Sequence, residues 1–580
     1  MSNSTDVVRS KNLSINVHSR SIALAGVAAC AISLATGANA ADLRFDPSAG
    51  KQESVLVYGK AVQYTSYLVS YAGKPVDASR QTMAIYVPTS VTQSAIFMPL
   101  KTGAYREINI LSPMEVTAEN VNTPSTGTDG SGASRAAALA LSKGMVVVSP
   151  AGRGRNNTIA VNGVQTETGN GPAALVDLKA AVRYLKYNDR QIPGDSNKIV
   201  ISGTSGGGAM SSLVGATGDS PAFNRYLEEI DAAPGSDSVF AASPFCPITD
   251  LDNANQAYEY YFLGSGINQV RGGGPGQSVA ITFSDNDKRL SLEMAKMFAV
   301  YVNSLRLKNP SNGNTLSLAT YAADSEMKGS YRDYAYSILG ASATKFMVDS
   351  GFVTADGSLN AAGQNYMATA ATMNGAASGI SPGQFISWNA TTKTASLTDW
   401  SKLMQFMNRL KPVGSFDNGY FNVTGEMDLF NTDPTATQNN VREAAGWNHF
   451  DVNLGKVIEN AGLKDVAGYS SVKGYAVPDA VARWAAMLNP MYYIVKYERV
   501  NGLTANPNAN ELYGSSTVAK HWRIRVGSFD RDSSPFVSMN LATALKNNKI
   551  DVDYRIAWNQ PHTGSYDNTD MIDWIISVSR

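Results

Sequence analysis

Cysteine is nearly absent from this chain: 580 residues contain two, Cys30 and Cys246. If Cys30 leaves with the N-terminal segment described below, no intramolecular disulfide can form, even in an oxidising compartment. Cys246 then reads as a buried packing residue ahead of a nucleophile. An excess of one charge is also absent, with 48 Lys+Arg against 48 Asp+Glu. Without a basic stripe or acidic tail, nothing points to nucleic-acid binding. An unbroken apolar run of about 20 residues, the length a membrane anchor needs, is lacking too. What is present is 43% hydrophobic and 17% charged residues, the balance of a soluble globular protein. At this length the chain holds either more than one domain or one core carrying a large insertion.

Residues 1–40 have the layout of a cleavable export signal. A polar stretch with Arg9, Lys11 and Arg20 precedes an alanine-rich apolar run from Ile22 to Leu34. The run leads to Ala38-Asn39-Ala40, small at the two positions that signal peptidase reads, and the chain turns polar at Asp42. Val27-Ala28-Ala29-Cys30 loosely resembles a lipoprotein processing site, but the apolar run continues past Cys30, which favours ordinary cleavage. The mature chain is expected to be secreted or periplasmic, with no membrane attachment.

The next segments alternate. Thr82 to Val87, Ala95 to Leu100, Gly144 to Val148 and Lys198 to Ser202 are short apolar runs bounded by turn residues. Such continuous runs suit strands buried on both faces. Between the last two, Leu175, Leu178, Val182 and Leu185 recur at helical spacing behind Pro172. Strand, helix, strand implies a parallel sheet with crossover connections. The pattern resumes late, with a strand over His521 to Gly527, a helix over Phe536 to Leu545 and a last strand over Val552 to Trp558. A terminal helix carries Met571, Trp574, Ile575 and Val578.

About 300 residues separate the two halves, far more than one crossover uses. Residues 246–507, with helical patterns at Leu292 to Leu305 and Leu403 to Leu410, are therefore expected to be a cap domain inserted into a core of residues 41–245 and 508–580. Arg271-Gly-Gly-Gly-Pro-Gly276 reads as a loop, because a phosphate cradle would also need a following lysine and helix.

Gly203-Thr204-Ser205-Gly206-Gly207 is a G-x-S-x-G motif. Five residues match by chance in many Gly/Ser-rich loops. Here a strand runs directly into it and a small-residue helix, Gly208 to Val214, follows, which is the setting of the nucleophile elbow of an α/β-hydrolase. Ser205 would stand on that sharp turn as the nucleophile. It needs a base. Of the four histidines, His18 lies in the export signal, His449 in the inserted region and His521 at a strand start. His562, in Asn559-Gln-Pro-His-Thr-Gly564, follows the last strand, where this fold places its imidazole.

The orienting acid should follow the strand before, in Gly527-Ser-Phe-Asp530-Arg-Asp532. We assign it to Asp530, with Asp532 as the alternate. One oxyanion donor is then the backbone N–H of Gly206. A second is expected from the loop Leu100-Lys-Thr-Gly-Ala-Tyr105, at Thr102 or Gly103. No metal or organic cofactor is implied.

Several further motifs carry a closer resemblance. The Ser205 motif with Pro193-Gly-Asp195 and Ala174-Leu-Val-Asp-Leu-Lys-Ala-Ala181 resembles the bacterial tannases. So do Phe245-Cys-Pro-Ile-Thr-Asp-Leu251, Ala257-Tyr-Glu259 and Gln560-Pro-His-Thr-Gly564. The fungal tannase and feruloyl esterase branch places cysteines beside the catalytic serine and histidine, where this chain has Thr204 and Thr563. The resemblance implies a small aromatic ester as substrate, hydrolysed at galloyl bonds to release gallic acid. It also implies that Asp532, Lys411 and Glu426 bind the ring hydroxyls. Carboxylates accept from clustered phenols and an ammonium donates to their oxygens.

Three rivals share parts of this pattern. A feruloyl or chlorogenate esterase would use the same scaffold. A prolyl oligopeptidase-type peptidase shares the triad order, but no propeller-like repeat is present. A binding protein on a dead hydrolase fold requires a broken triad, whereas all three positions are filled.

Overall fold

The computed structural model describes residues 42–155, 157–272, 279–319, 328–370, 372–373, 376–377, 379–416, 429–430, 449–467, 469, 476–497 and 506–580. The expected export signal lies outside them. No helix among the described residues is long and apolar enough to cross a membrane.

Among the described residues, nine strands form the main sheet: β1 (Lys51–Val57), β2 (Lys60–Ser70), β3 (Thr82–Pro88), β4 (Ile96–Pro99), β5 (Val146–Pro150), β6 (Ile199–Thr204), β7 (Ala241–Phe245), β8 (His521–Gly527) and β9 (Asp551–Ala557). Their spatial order is β1-β2-β3-β5-β4-β6-β7-β8-β9. The β1–β2, β2–β3 and β3–β5 pairs are antiparallel, and from β5 to β9 every pair is parallel. This is the expected α/β-hydrolase arrangement, with the strands expected at the two ends of the sequence joined in one sheet.

Burial explains the apolar runs. Ile96 and Met98, Val146 and Val148, and Ile199 and Ile201 enter one core, while Phe97, Val147 and Val200 enter the other. Alternation sends successive side chains to opposite faces, and both faces are covered, so these positions are apolar. The polar exceptions further along, Ser149 and Ser202, are buried with hydrogen-bond partners. Helix α1 (Ser131–Ser142) covers one face. Helices α2 (Ala173–Tyr187) and α3 (Gly206–Ala216) cover the other.

The chain between β7 and β8 contributes α4 (Leu251–Phe262), α5 (Asp285–Ser304), α6 (Ser330–Asp349), α7 (Trp400–Met407) and α8 (Asp479–Met487). Two helices of the core follow, α9 (Pro535–Asn547) and α10 (Asn568–Val578). α10 packs beside α1, and α9 joins the α2 and α3 side. Ala41–Arg580 packs as one unit. The glycine-rich stretch after Arg271 joins two antiparallel strands, Gln269–Gly272 and Val279–Thr282, and so does not lead into a helix as a phosphate cradle would.

Some elements differ from the expectation. α7 ends at Met407, three residues early, because Asn408 takes a positive φ of 59°. The β1–β2 hairpin, β7, α1 and α6 were not anticipated from the sequence.

Candidate active site

The strands that precede the three candidate residues lie close together in the sheet: β8 and β9 are neighbours, and β7 alone separates β6 from β8. β6 runs straight into Ser205, whose backbone sits at φ 61° and ψ −119° before α3 begins at Gly206. That strained turn needs close backbone approach on both sides. A Cβ on Gly203 would lie 2.6 Å from the carbonyl of Gly207, and one on Gly206 would lie 2.6 Å from the amide nitrogen of Tyr105. Only glycine fits either place.

His562 Nε2 lies 2.8 Å from Ser205 Oγ, and His562 Nδ1 lies 2.7 Å from Asp530 Oδ2. The loop after β8 wraps Asp530 in donors. Its Oδ1 accepts from the backbone N–H of Asp532 at 2.9 Å and of Ser533 at 3.1 Å, and the Ser533 hydroxyl donates to Oδ2 at 3.2 Å. Asp530 is fully buried. Burial works against its charge, but the His562 pairing and these donors hold its carboxyl below the usual carboxylate range. Burial likewise opposes the imidazolium of His562. The Asp530 and Asp532 carboxylates outweigh it and hold His562 well above its ordinary value. A hydroxyl, an imidazole and a buried carboxylate in this chain can deprotonate the serine and hold the resulting positive charge.

Of the oxyanion candidates, Gly206 opens α3. The Gly103–Tyr105 backbone lies against it, with the Ala104 amide nitrogen 2.8 Å from where a Gly206 Cβ would be. The Thr102 carbonyl accepts the N–H of Gly207 at 3.2 Å, which ties this loop to the first turn of α3.

The two aspartates part company here. Asp530 faces His562, whereas the Asp532 side chain is 36% exposed and its Oδ1 is 3.8 Å from Lys411 Nζ. Lys411 also lies 5.2 Å above the Phe416 ring. Glu426 lies outside the described residues. The other histidines stand apart: His521 Nδ1 pairs with Asp551 on the sheet edge at 2.7 Å, and His449 is buried in the insertion, where desolvation lowers it to about 4.

One neighbour was read from sequence only as packing. Cys246, fully buried at a positive φ of 42°, lies beside His562 and Asp530, and its thiol contacts the Thr563 carbonyl at 3.3 Å. Burial raises its thiol, which suits a packing residue rather than a thiolate. Tyr258, Glu259 and Arg409 had no assigned role, although Ala257-Tyr-Glu259 stood out as a motif.

Residues 157–270 match the family model BD-FAE. The esterase LipQ of Mycobacterium tuberculosis is 33% identical over 88 residues, 15% of this chain and 20% of that protein, so the chain spans a fifth of that relative's length. Solved structures match over far more. The tannin acyl hydrolase of Lactobacillus plantarum is 30% identical with a TM-score of 0.68, covering 93% of this chain and 99% of that one. A tannin acyl hydrolase in complex with ethyl gallate is 29% identical, at a TM-score of 0.69 over 93% and 99%. The tannase of Fusobacterium nucleatum is 28% identical, at 0.69 over 93% and 100%.

Proposed function

The chain belongs to the bacterial tannase family of carboxylic ester hydrolases on the α/β-hydrolase fold, and we propose that it cleaves galloyl esters through an acyl-enzyme on Ser205. The observation that carries this reading is the placement of Lys411 and Asp532 beside the Ser205–His562–Asp530 chain. One end suits acyl transfer and the other suits a hydroxylated ring.

In the proposed reaction His562 Nε2 takes the Ser205 proton as Oγ attacks the ester carbonyl. Asp530 holds the imidazole tautomer and stabilises the imidazolium. The oxyanion rests on the N–H of Gly206 and an amide of the Thr102–Gly103 stretch. Collapse expels the alcohol, which His562 protonates. Water, activated by the same imidazole, then attacks the acyl carbonyl and releases the aromatic acid. Asp532 accepts hydrogen bonds from ring hydroxyls and Lys411 donates to their oxygens, with Glu426 as the third contact that the family resemblance implies. An ester lacking these hydroxyls leaves the site's charges unpaired and should react poorly.

Relative kcat/KM on methyl gallate, methyl protocatechuate, methyl ferulate and methyl benzoate tests the reading. Gallate and protocatechuate should lead. A preference for ferulate would instead favour a feruloyl-type esterase. The chain is also proposed to be exported, on the layout of residues 1–40. N-terminal sequencing of the secreted protein should then begin at Ala41.

A further inference from the structure

The Ala257-Tyr-Glu259 motif lies on α4, and α4 grips the loop that carries Lys411. Tyr258 is fully buried, and its hydroxyl donates to the Arg531 carbonyl at 2.8 Å. The same oxygen accepts from the backbone N–H of Lys411 at 3.1 Å and of Leu410 at 3.4 Å. One hydroxyl thus links the peptide of Lys411 to the peptide between Asp530 and Asp532.

The next residue secures the approach to that loop. Glu259 binds Arg409 in a buried bidentate pair, at 2.7 Å and 2.5 Å, and Arg409 Nε donates to the Lys411 carbonyl at 2.7 Å. One turn earlier on α4, Asn255 Oδ1 accepts the N–H of Phe416 at 2.9 Å, which fixes the far end. Lys411 therefore extends a flexible side chain from a backbone held at several points. Its ammonium meets Asp532, whose own backbone is anchored through Asp530.

We propose that Tyr258 is a positioning residue for substrate specificity: its hydroxyl joins the Lys411 loop to the Asp530–Asp532 loop and so sets the spacing of the two groups that meet the ring hydroxyls. This rests on the galloyl reading of Lys411 and Asp532. A tyrosine serves where phenylalanine would fill the same space because one phenolic oxygen can donate and accept at once.

The test is Tyr258→Phe in the full-length protein, read as the ratio of kcat/KM on methyl gallate to that on p-nitrophenyl acetate, which has no ring hydroxyls. The ratio should fall about tenfold, the usual effect of a lost buried hydrogen bond, with most of the change in KM for gallate. In a Lys411→Met background the same substitution should change the ratio by no more than about twofold, because Tyr258 acts through Lys411. The proposal is overturned if the ratio holds within about twofold in the otherwise unaltered protein, or if it falls equally in both backgrounds. Should Tyr258→Phe not fold, Asn255→Ala, which releases the other end of the loop, takes its place under the same criteria. Failure of the galloyl reading looks different: the unsubstituted protein would then show no preference for methyl gallate over methyl benzoate.

Discussion

The two ends of the site are built differently. Ser205 follows its sheet strand directly, Asp530 and His562 follow theirs within a few residues, and short loops with buried partners hold them. Lys411 and Asp532 are partly exposed, and Lys411 comes from deep within the chain between β7 and β8. In the proposed reaction, the chemistry is set by where strands end. In the proposed reading, specificity is set by how the Lys411 loop is tethered beside the Asp530–Asp532 loop, which depends on contacts between residues distant in sequence. The first end should tolerate almost no change, and the second should be tunable.

The sharpest way to break this contrast is to remove the proposed nucleophile. Ser205→Ala should lower turnover on every ester by roughly 10^5-fold or more, and His562→Ala similarly. Comparable losses on methyl gallate and p-nitrophenyl acetate would place both residues at the acyl-transfer end. Asp530→Asn should cost on the order of 10^4-fold in kcat.

The acid limb of kcat/KM gives a further handle, because in the proposed reaction His562 must be neutral to act as base. Asp530 and Asp532 raise its pKa, so activity rises with pH through that raised value. Removing the Asp530 charge should move the limb to lower pH, and Asp532→Asn should move it the same way by less. A shift toward higher pH in either variant would contradict the electrostatic account.

Next in size is a stability effect within the insertion. Glu259→Gln leaves the Arg409 guanidinium buried without its carboxylate, which should cost roughly 3 kcal/mol of stability, read by thermal unfolding. Smaller still, Asp532→Asn should lower kcat/KM on methyl gallate by about 10- to 100-fold, the worth of a hydrogen bond to a charged group. It should have little effect on p-nitrophenyl acetate. If Asp532→Asn damaged both esters equally, the two ends would not be separable.

Most of the acyl-transfer end was legible in the sequence. The elbow was readable because the apolar run into Gly203 and the small residues after Gly206 mark a strand and a helix around five fixed residues. Asp530 and His562 then followed from strand order. The sequence assigns the acid to Asp530 with Asp532 as the alternate, since both follow the same strand by a few residues; in the structure it is Asp530 Oδ2 that lies 2.7 Å from His562 Nδ1.

Other elements gave weaker signals. The β1–β2 hairpin is an edge pair with many exposed polar positions, so it shows no apolar run. β7 is short and built of Ala-Ala-Ser-Pro-Phe. α6 spreads its tyrosines around the helix rather than along one face. The tether through Tyr258, Glu259 and Arg409 was out of reach, because its partners lie about 150 residues apart and only the folded chain brings them together.

The most direct test of the central claim is to trap the intermediate. The protein is mixed with equal concentrations of methyl gallate and methyl benzoate, quenched in acid within the first turnovers, and mapped by peptide mass. The account predicts a galloyl adduct on the peptide containing Ser205, lost in Ser205→Ala, with little benzoyl adduct. An adduct on another residue, or equal acylation by benzoate, would contradict it.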